Sequence, residues 1–227
     1  MADGVSPSWP LSLTLGFVAG FVDSMGFIAL GLFPAHITGN FVLIGDIVAS
    51  THSESLLRLI AFFAFVAAVA FARLCAHWRE ESGPPLLRPM LFLELLFVAG
   101  FALFAEIAGS ARSSNLIWGC LAAAMSACAM GVQSASLHLI FSEPTSTTAM
   151  TGNVTKLVLN GMDLLLHGGQ GLQRRRTANL ALLVFGFAFG AFAGASGIRI
   201  VGIAALMLPI VVLVITAVME WTYWFEE

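Results

Sequence analysis

The chain has 227 residues, of which 59% are hydrophobic and 10% charged, with a mean hydropathy of +0.92 and a formal net charge of −3. A soluble domain carries about 25% charged residues, so this composition excludes a soluble globular protein and reads as an all-α integral membrane protein. No basic cluster suggests nucleic acid, which leaves the lipid bilayer and a small-molecule solute as the expected partners.

From the N-terminus, Met1–Ser8 has no basic n-region of the kind that opens a secretory signal, so the first apolar run is expected to stay in the mature chain. A helix needs about 20 apolar residues to cross the hydrocarbon core. Six stretches qualify: 11–33, 56–76, 87–109, 115–139, 177–196 and 198–219. Only Ser196-Gly197 separates the last two, which predicts a tight turn there. Trp9, Trp78, Trp118, Trp221 and Trp224 lie near the span ends, where interfacial aromatics collect. Cys75, Cys120 and Cys128 all fall in apolar runs and read as free thiols, not as a disulfide framework or a zinc site.

With six crossings, one side of the membrane holds Arg73, Arg79, Arg88, Lys156 and Arg174–Arg176, and the other holds Arg58, Arg112 and Arg199. The positive-inside rule then puts both termini in the cytoplasm. An eight-span alternative, in which two further segments cross, would move Arg73, Arg79 and Arg88 outside.

Those two segments carry the same signature. His36-Ile-Thr-Gly-Asn40 follows Pro34 and precedes the apolar run Phe41–Val48; Ala149-Met-Thr-Gly-Asn153 follows Pro144 and a hydroxyl cluster, and precedes Val154–Leu166. A breaker, then Thr or Asn, then an apolar run writes a helix N-terminus, with the side chains expected to cap the first N–H groups. Small residues recur in matching places around the two copies. Gly16, Gly20 and Ser24 in the first run answer Gly119, Ala123, Ala127, Gly131 and Ala135 in the fourth. Ala64, Ala68, Ala72 and Ala76 in the second run answer Gly186, Gly190 and Gly194 in the fifth. Such stripes let helix backbones approach closely in lipid.

The chain therefore reads as a single transmembrane domain, 1–227, made of two three-helix repeats, about 1–112 and 113–227. Three is odd, so the second repeat enters from the opposite side and the repeats are inverted, as in many transporters. Each Thr-Gly-Asn segment is then either a re-entrant half-helix aimed at the bilayer centre or an interfacial helix lying flat. The glycine stripe 186/190/194 offers a surface for a homo-oligomer.

Gly20-Phe-Val-Asp-Ser-Met-Gly-Phe27, His36-Ile-Thr-Gly-Asn-Phe-Val-Leu43, Met130-Gly-Val-Gln-Ser-Ala135 and Met150-Thr-Gly-Asn153 together resemble the bacterial YoaK family. The resemblance covers nearly the whole chain. It implies a multi-pass bacterial inner-membrane protein, often labelled a small permease, and it implies no substrate.

Asp23, about midway along the first span, is the foremost candidate, because an ionisable group there costs several kcal/mol unless paired or hydrated. It reads as a proton or cation site, or as a structural carboxylate bonded to Gln133 or Ser134. Aligning the small-residue stripes sets Ser134 opposite Asp23. His36, Thr38, Gly39 and Asn40, with Thr151, Gly152 and Asn153, form the two helix starts, whose N–H groups attract anions or polar oxygens. Gln133, Ser134, Ser136 and His138 either line a path or bond across helices. Lys156, Asn160 and Asp163 share one helical face that is expected to be solvated. Arg73, Glu94, Glu106 and Glu220 lie near span ends, where snorkelling accounts for them.

No phosphate loop, His-Glu-x-x-His motif, Gly-x-Ser-x-Gly motif or metal-ligand cluster occurs, so no cofactor, metal or catalytic residue is assigned. The expected function is a small secondary transporter or channel for a small polar or anionic solute, with a coupling proton on Asp23. The alternatives are an intramembrane enzyme acting on a lipid-borne substrate and a non-catalytic assembly or sensor protein.

Overall fold

The computed structural model describes residues 8–45, 54–80, 86–109, 116–140, 147, 150–168 and 171–222. Its described elements are helical throughout: α1 (Trp9–Leu30), α2 (Ile37–Gly45), α3 (Glu54–Glu80), α4 (Leu87–Ala108), α5 (Leu116–Ile140), α6 (Met150–His167), α7 (Gly171–Val201), a 3-10 turn (Gly202–Leu206) and α8 (Met207–Thr222). Five segments are long and apolar enough to cross a membrane, and the fifth, Gly171–Met219, folds back on itself at Gly202 into α7 and α8. Large apolar side chains such as Phe63, Phe92, Ile117 and Phe192 stay exposed around the bundle, as lipid-facing residues do.

The helix directions follow from which residues meet. Gly16 lies against Leu183 and Gly20 against Phe187, while Gly186 and Gly194 lie against Leu13 and Phe21, so α1 and α7 run parallel. Gly119 meets Leu57, Gly131 meets Phe65 and Ala68, and the Cys128 thiol reaches the Ala64 carbonyl at 3.5 Å, so α3 and α5 also run parallel. Gly100 beside Met125 and Phe104 stacked on Trp118 make α4 antiparallel to α5. Gln133 bonds to Leu15, while Leu30 and Leu32 pack with Ala123 and Ala127, which makes α1 antiparallel to α5. Ser8–Leu11 and Thr14 share a cleft with Thr216 and Met219, so α8 returns along α1 and the described chain begins and ends at one end of the bundle. In sum, α1, α4 and α7 point one way and α3, α5 and α8 the other.

Glycine sets the closest of these contacts. In α1 and α7 a Cβ at Gly20 or Gly190 would collide with the backbone of Phe187 or Phe17, so the two helices touch main chain to main chain. The stripe Gly186, Gly190, Gly194 is thereby buried against α1 of its own chain and is not available as a surface for a second copy.

Three expectations change. The turn between the last two spans is not at Ser196-Gly197. α7 continues to Val201, because the backbone reverses at Gly202 (φ 68°), a left-handed conformation that glycine alone adopts freely; Gly197 instead makes room for Ala205 of the returning turn. The Thr-Gly-Asn motifs are not caps ahead of a helix: α2 starts at Ile37 and α6 at Met150, so Thr38 and Thr151 already lie in the first turn. Glu94 is not near water at a span end. It lies on the buried face of α4 with Met90, Leu91 and Val98 and is 1% exposed.

Gly190→Ala should destabilise the bundle by at least about 1–3 kcal/mol, the usual cost of overpacking where no side chain can give way. The unfolding temperature in detergent should fall. Gly161→Ala, in open space on α6, should leave that temperature unchanged or raise it slightly.

Candidate functional site

The site begins with a carboxylate inside a helix. Asp23 lies seven residues before the last residue of α1, about 10 Å along the axis at 1.5 Å per residue, and is 5% exposed. Both oxygens are engaged. Oδ1 accepts the Ala35 backbone N–H at 2.8 Å, and Oδ2 lies 2.8 Å from His36 Nδ1. α1 ends at Gly31, in the left-handed conformation, and residues 32–36 turn back along it until Ala35 and His36 stand level with Asp23. Gly26 leaves the space that the Pro34 ring fills on the way.

Two further groups hold this returning loop. Asn40, in the first turn of α2 and 1% exposed, accepts the Phe33 N–H through Oδ1 at 2.9 Å and donates through Nδ2 to the Phe33 carbonyl at 2.7 Å. Its side chain ties the descending strand to the helix that climbs away from it. Arg58 of α3 donates to the Gly31 carbonyl at 3.0 Å and to the Leu43 carbonyl at 3.1 Å, bracing both limbs. The His36 ring stands edge-on to Phe187 of α7 and to Phe33, and Phe33 stacks on Phe27 at 4.6 Å. His36 is half-buried, so it is the exposed member of the Asp23–His36 pair.

The second signature is built on the same plan with different chemistry. Gln133, fully buried, lies seven residues before the end of α5. Its Nε2 donates to the Leu15 carbonyl of α1 at 2.8 Å, and its Oε1 accepts the buried Thr147 hydroxyl at 3.4 Å. Thr147 precedes α6 as Pro34 and Ala35 precede α2. The pattern Val22-Asp23-Ser24 recurs as Val132-Gln133-Ser134, so Gln133 and not Ser134 occupies the place of Asp23. Each of these two side chains bonds to a residue just ahead of the next helix, Ala35 or Thr147, about 10 Å back from the end of its own helix.

The remaining candidates divide. Thr38, Thr151 and Gly152 are exposed, Gly39 is half-buried, and Asn153 is buried with Nδ2 3.8 Å from Met150 Sδ. Ser134 is buried on α5; Ser136 and His138 bond back to carbonyls of their own helix. Lys156 and Asp163 are exposed on α6, and Asn160 is half-buried there. Ala149, Pro144 and Glu220 fall where no side-chain placement is described. The sequence reading missed Arg58 and the aromatic seat of His36. An arginine one turn into an apolar run was the available signal for the first. The second joins residues 151 positions apart and left no local trace.

Long apolar helices packed through glycines and carrying buried polar side chains define a multi-pass helical membrane protein. More narrowly, the chain belongs to the family described as "Protein of unknown function (DUF1275)", which matches residues 11–219. No curated protein and no solved structure matches it.

Asn40→Ala should remove two buried hydrogen bonds and destabilise the fold by about 1–2 kcal/mol. Thr38→Ala, at an exposed position, should stay within about 0.5 kcal/mol. Thermal unfolding of the purified protein in one detergent compares the two directly.

Proposed function

We propose that the chain is a small proton-coupled secondary transporter for a small polar or anionic solute, built from two inverted three-helix halves. One observation carries this reading: a carboxylate and an imidazole 2.8 Å apart, deep in the bundle, hold the start of a half-helix. With Asp23 ionised, His36 Nδ1–H donates to Oδ2. A proton added to the pair goes to the free imidazole nitrogen, Nε2, and turns the contact into an imidazolium–carboxylate pair, while Oδ1 still accepts the Ala35 N–H. The pair would thus carry a proton beside the start of α2 without giving up either hydrogen bond. The exposed N–H groups at the start of α2 offer the solute a partial positive charge beside it. A cavity of about 570 Å³ between the far ends of α1, α4 and α7 reaches α1 at Ile28, five residues beyond Asp23, and would serve as the outer vestibule.

The inverted arrangement is supported by the exchange of partners between halves. α1 packs on α7 and α5 on α3, α2 leans on α3 and α6 on α7, and the third spans α4 and α8 meet each other. On α1 the two returning segments attach at Leu15 (through Gln133) and at Asp23, about equally far from the helix midpoint. Helix starts that enter from opposite sides at matched depth are the usual setting of a transporter's site. The end of the bundle bearing Arg88 and Arg174–Arg176 would face the cytoplasm with both termini, and the resemblance to the YoaK family supports a bacterial inner membrane as the location.

Pyranine-loaded proteoliposomes, challenged with small carboxylic acids and neutral amides under an imposed pH gradient, test this directly. The wild type should move protons with at least one of these solutes. Asp23→Asn keeps an acceptor for Ala35 but cannot balance a protonated His36, and it should lower that flux by about tenfold or more, a loss of at least about 1.4 kcal/mol in the barrier difference. An undiminished flux in a folded Asp23→Asn protein rules out the coupling role. No proton movement with any solute rules out the transporter.

A further inference from the structure

α4 carries a second buried carboxyl group that the Asp23–His36 pair does not use. Glu94 is 1% exposed, and its Oε1 lies in the interior without a hydrogen-bond partner among the described residues. Its neighbours one turn away on α4 are Met90 and Val98, each in an apolar cluster. The elements packed against α4 are α5, the 3-10 turn and α8. Across the 3-10 turn and α8 the titratable side chain is Glu220, two residues from the end of α8, whose side-chain placement is not described. α5 contributes Cys120, Cys128 and His138; the Cys128 thiol is turned to the Ala64 carbonyl of α3, and His138 is exposed and bonded to the Ser134 carbonyl. On α4 itself, Arg88 lies nearly two turns before Glu94 and Glu106 more than three turns beyond it. Nothing described there supplies a donor or a counter-charge.

A buried carboxylate without donors bears a desolvation cost of several kcal/mol that nothing offsets, whereas the neutral acid bears only that of a polar group. We propose that Glu94 is a second proton-binding site of the bundle, separate from the Asp23–His36 pair, and that it stands in this conformation as a neutral carboxylic acid open to modification by an apolar carbodiimide. The chemistry is an addition. The acid O–H adds across one C=N bond of dicyclohexylcarbodiimide to give an O-acylisourea, and the acyl group then migrates from oxygen to nitrogen to give a stable N-acylurea. The carboxyl proton ends on nitrogen, no group leaves, and nothing is oxidised or reduced. An ionised carboxylate in water reacts far more slowly, because the addition needs the acid proton, so exposed Glu106 and Asp163 serve as internal controls. The inference does not depend on whether the chain moves a solute.

Infrared spectra of the full chain in detergent at pH 7 should contain the carbonyl stretch of a protonated carboxyl. That band should be lost in Glu94→Gln and kept in Asp23→Asn. Peptide mass spectrometry after treatment with dicyclohexylcarbodiimide should find the adduct on Glu94, with none on Glu106 or Asp163. Glu94→Met, which removes the unsatisfied oxygen and keeps the volume, should be at least as heat-stable as the wild type. If Glu94→Gln leaves the neutral-carboxyl band intact, Glu94 is ionised and the inference is overturned. A Glu94→Met protein that unfolds at markedly lower temperature overturns it too, since the carboxyl must then have a stabilising partner.

Discussion

A charged group placed a third of the way into an apolar helix must be answered by donors, and in this protein the answer comes from the chain that follows. Asp23 cannot reach water from its place on α1. It is satisfied because residues 31–36 turn back and present a backbone N–H and an imidazole at 2.8 Å each. The rest of the first half is arranged to make that return feasible. Gly31 reverses the chain, Gly26 makes room for Pro34, Asn40 clamps Phe33, and Arg58 reaches both limbs from α3. Non-helical backbone is tolerated at such depth only when its polar groups are satisfied by protein or by water. The bonds to Asp23, Asn40 and Arg58 satisfy several of them here.

On α5 a neutral amide makes a comparable pair of contacts. Gln133 holds Thr147 as Asp23 holds Ala35, and it also reaches across to the Leu15 carbonyl, where Asp23 has only acceptor oxygens and could not. An amide side chain carries no proton to exchange. The Gln133 attachment is therefore a neutral joint, whereas the Asp23 attachment includes an imidazole. Between the two attachments lies the α1–α7 glycine seam, where main chains touch and neither helix can tilt without separating.

Much of this was legible in the sequence for definite reasons. Apolar runs of membrane length announced the spans, because lipid leaves the backbone no other way to satisfy itself. The repeated Thr-Gly-Asn pointed to the starts of α2 and α6, and the lone carboxylate in the first run pointed to the buried Asp23–His36 pair. Local periodicity failed where residues answer distant neighbours. It set the last turn at Ser196-Gly197, although Gly197 is small for the sake of Ala205 and the chain reverses at Gly202. It treated Asn40 as a cap, although its amide faces backward to Phe33. It aligned Ser134 with Asp23 from the stripes, although the side chain doing the equivalent work is Gln133.

The amino-acid sequence by itself determined that this chain lives in lipid, how many apolar runs it has and which few polar side chains they must bury, because hydropathy and length are properties of each segment alone. Only the tertiary structure decided which donors those side chains find. That choice joins positions as far apart as Leu15 and Gln133, or His36 and Phe187, and it depends on which helices glycine allows to touch. Glu94 shows the difference most plainly: its place in the sequence suggested a residue near water, and only the packing of α4 against its neighbours shows a carboxyl group closed off from water.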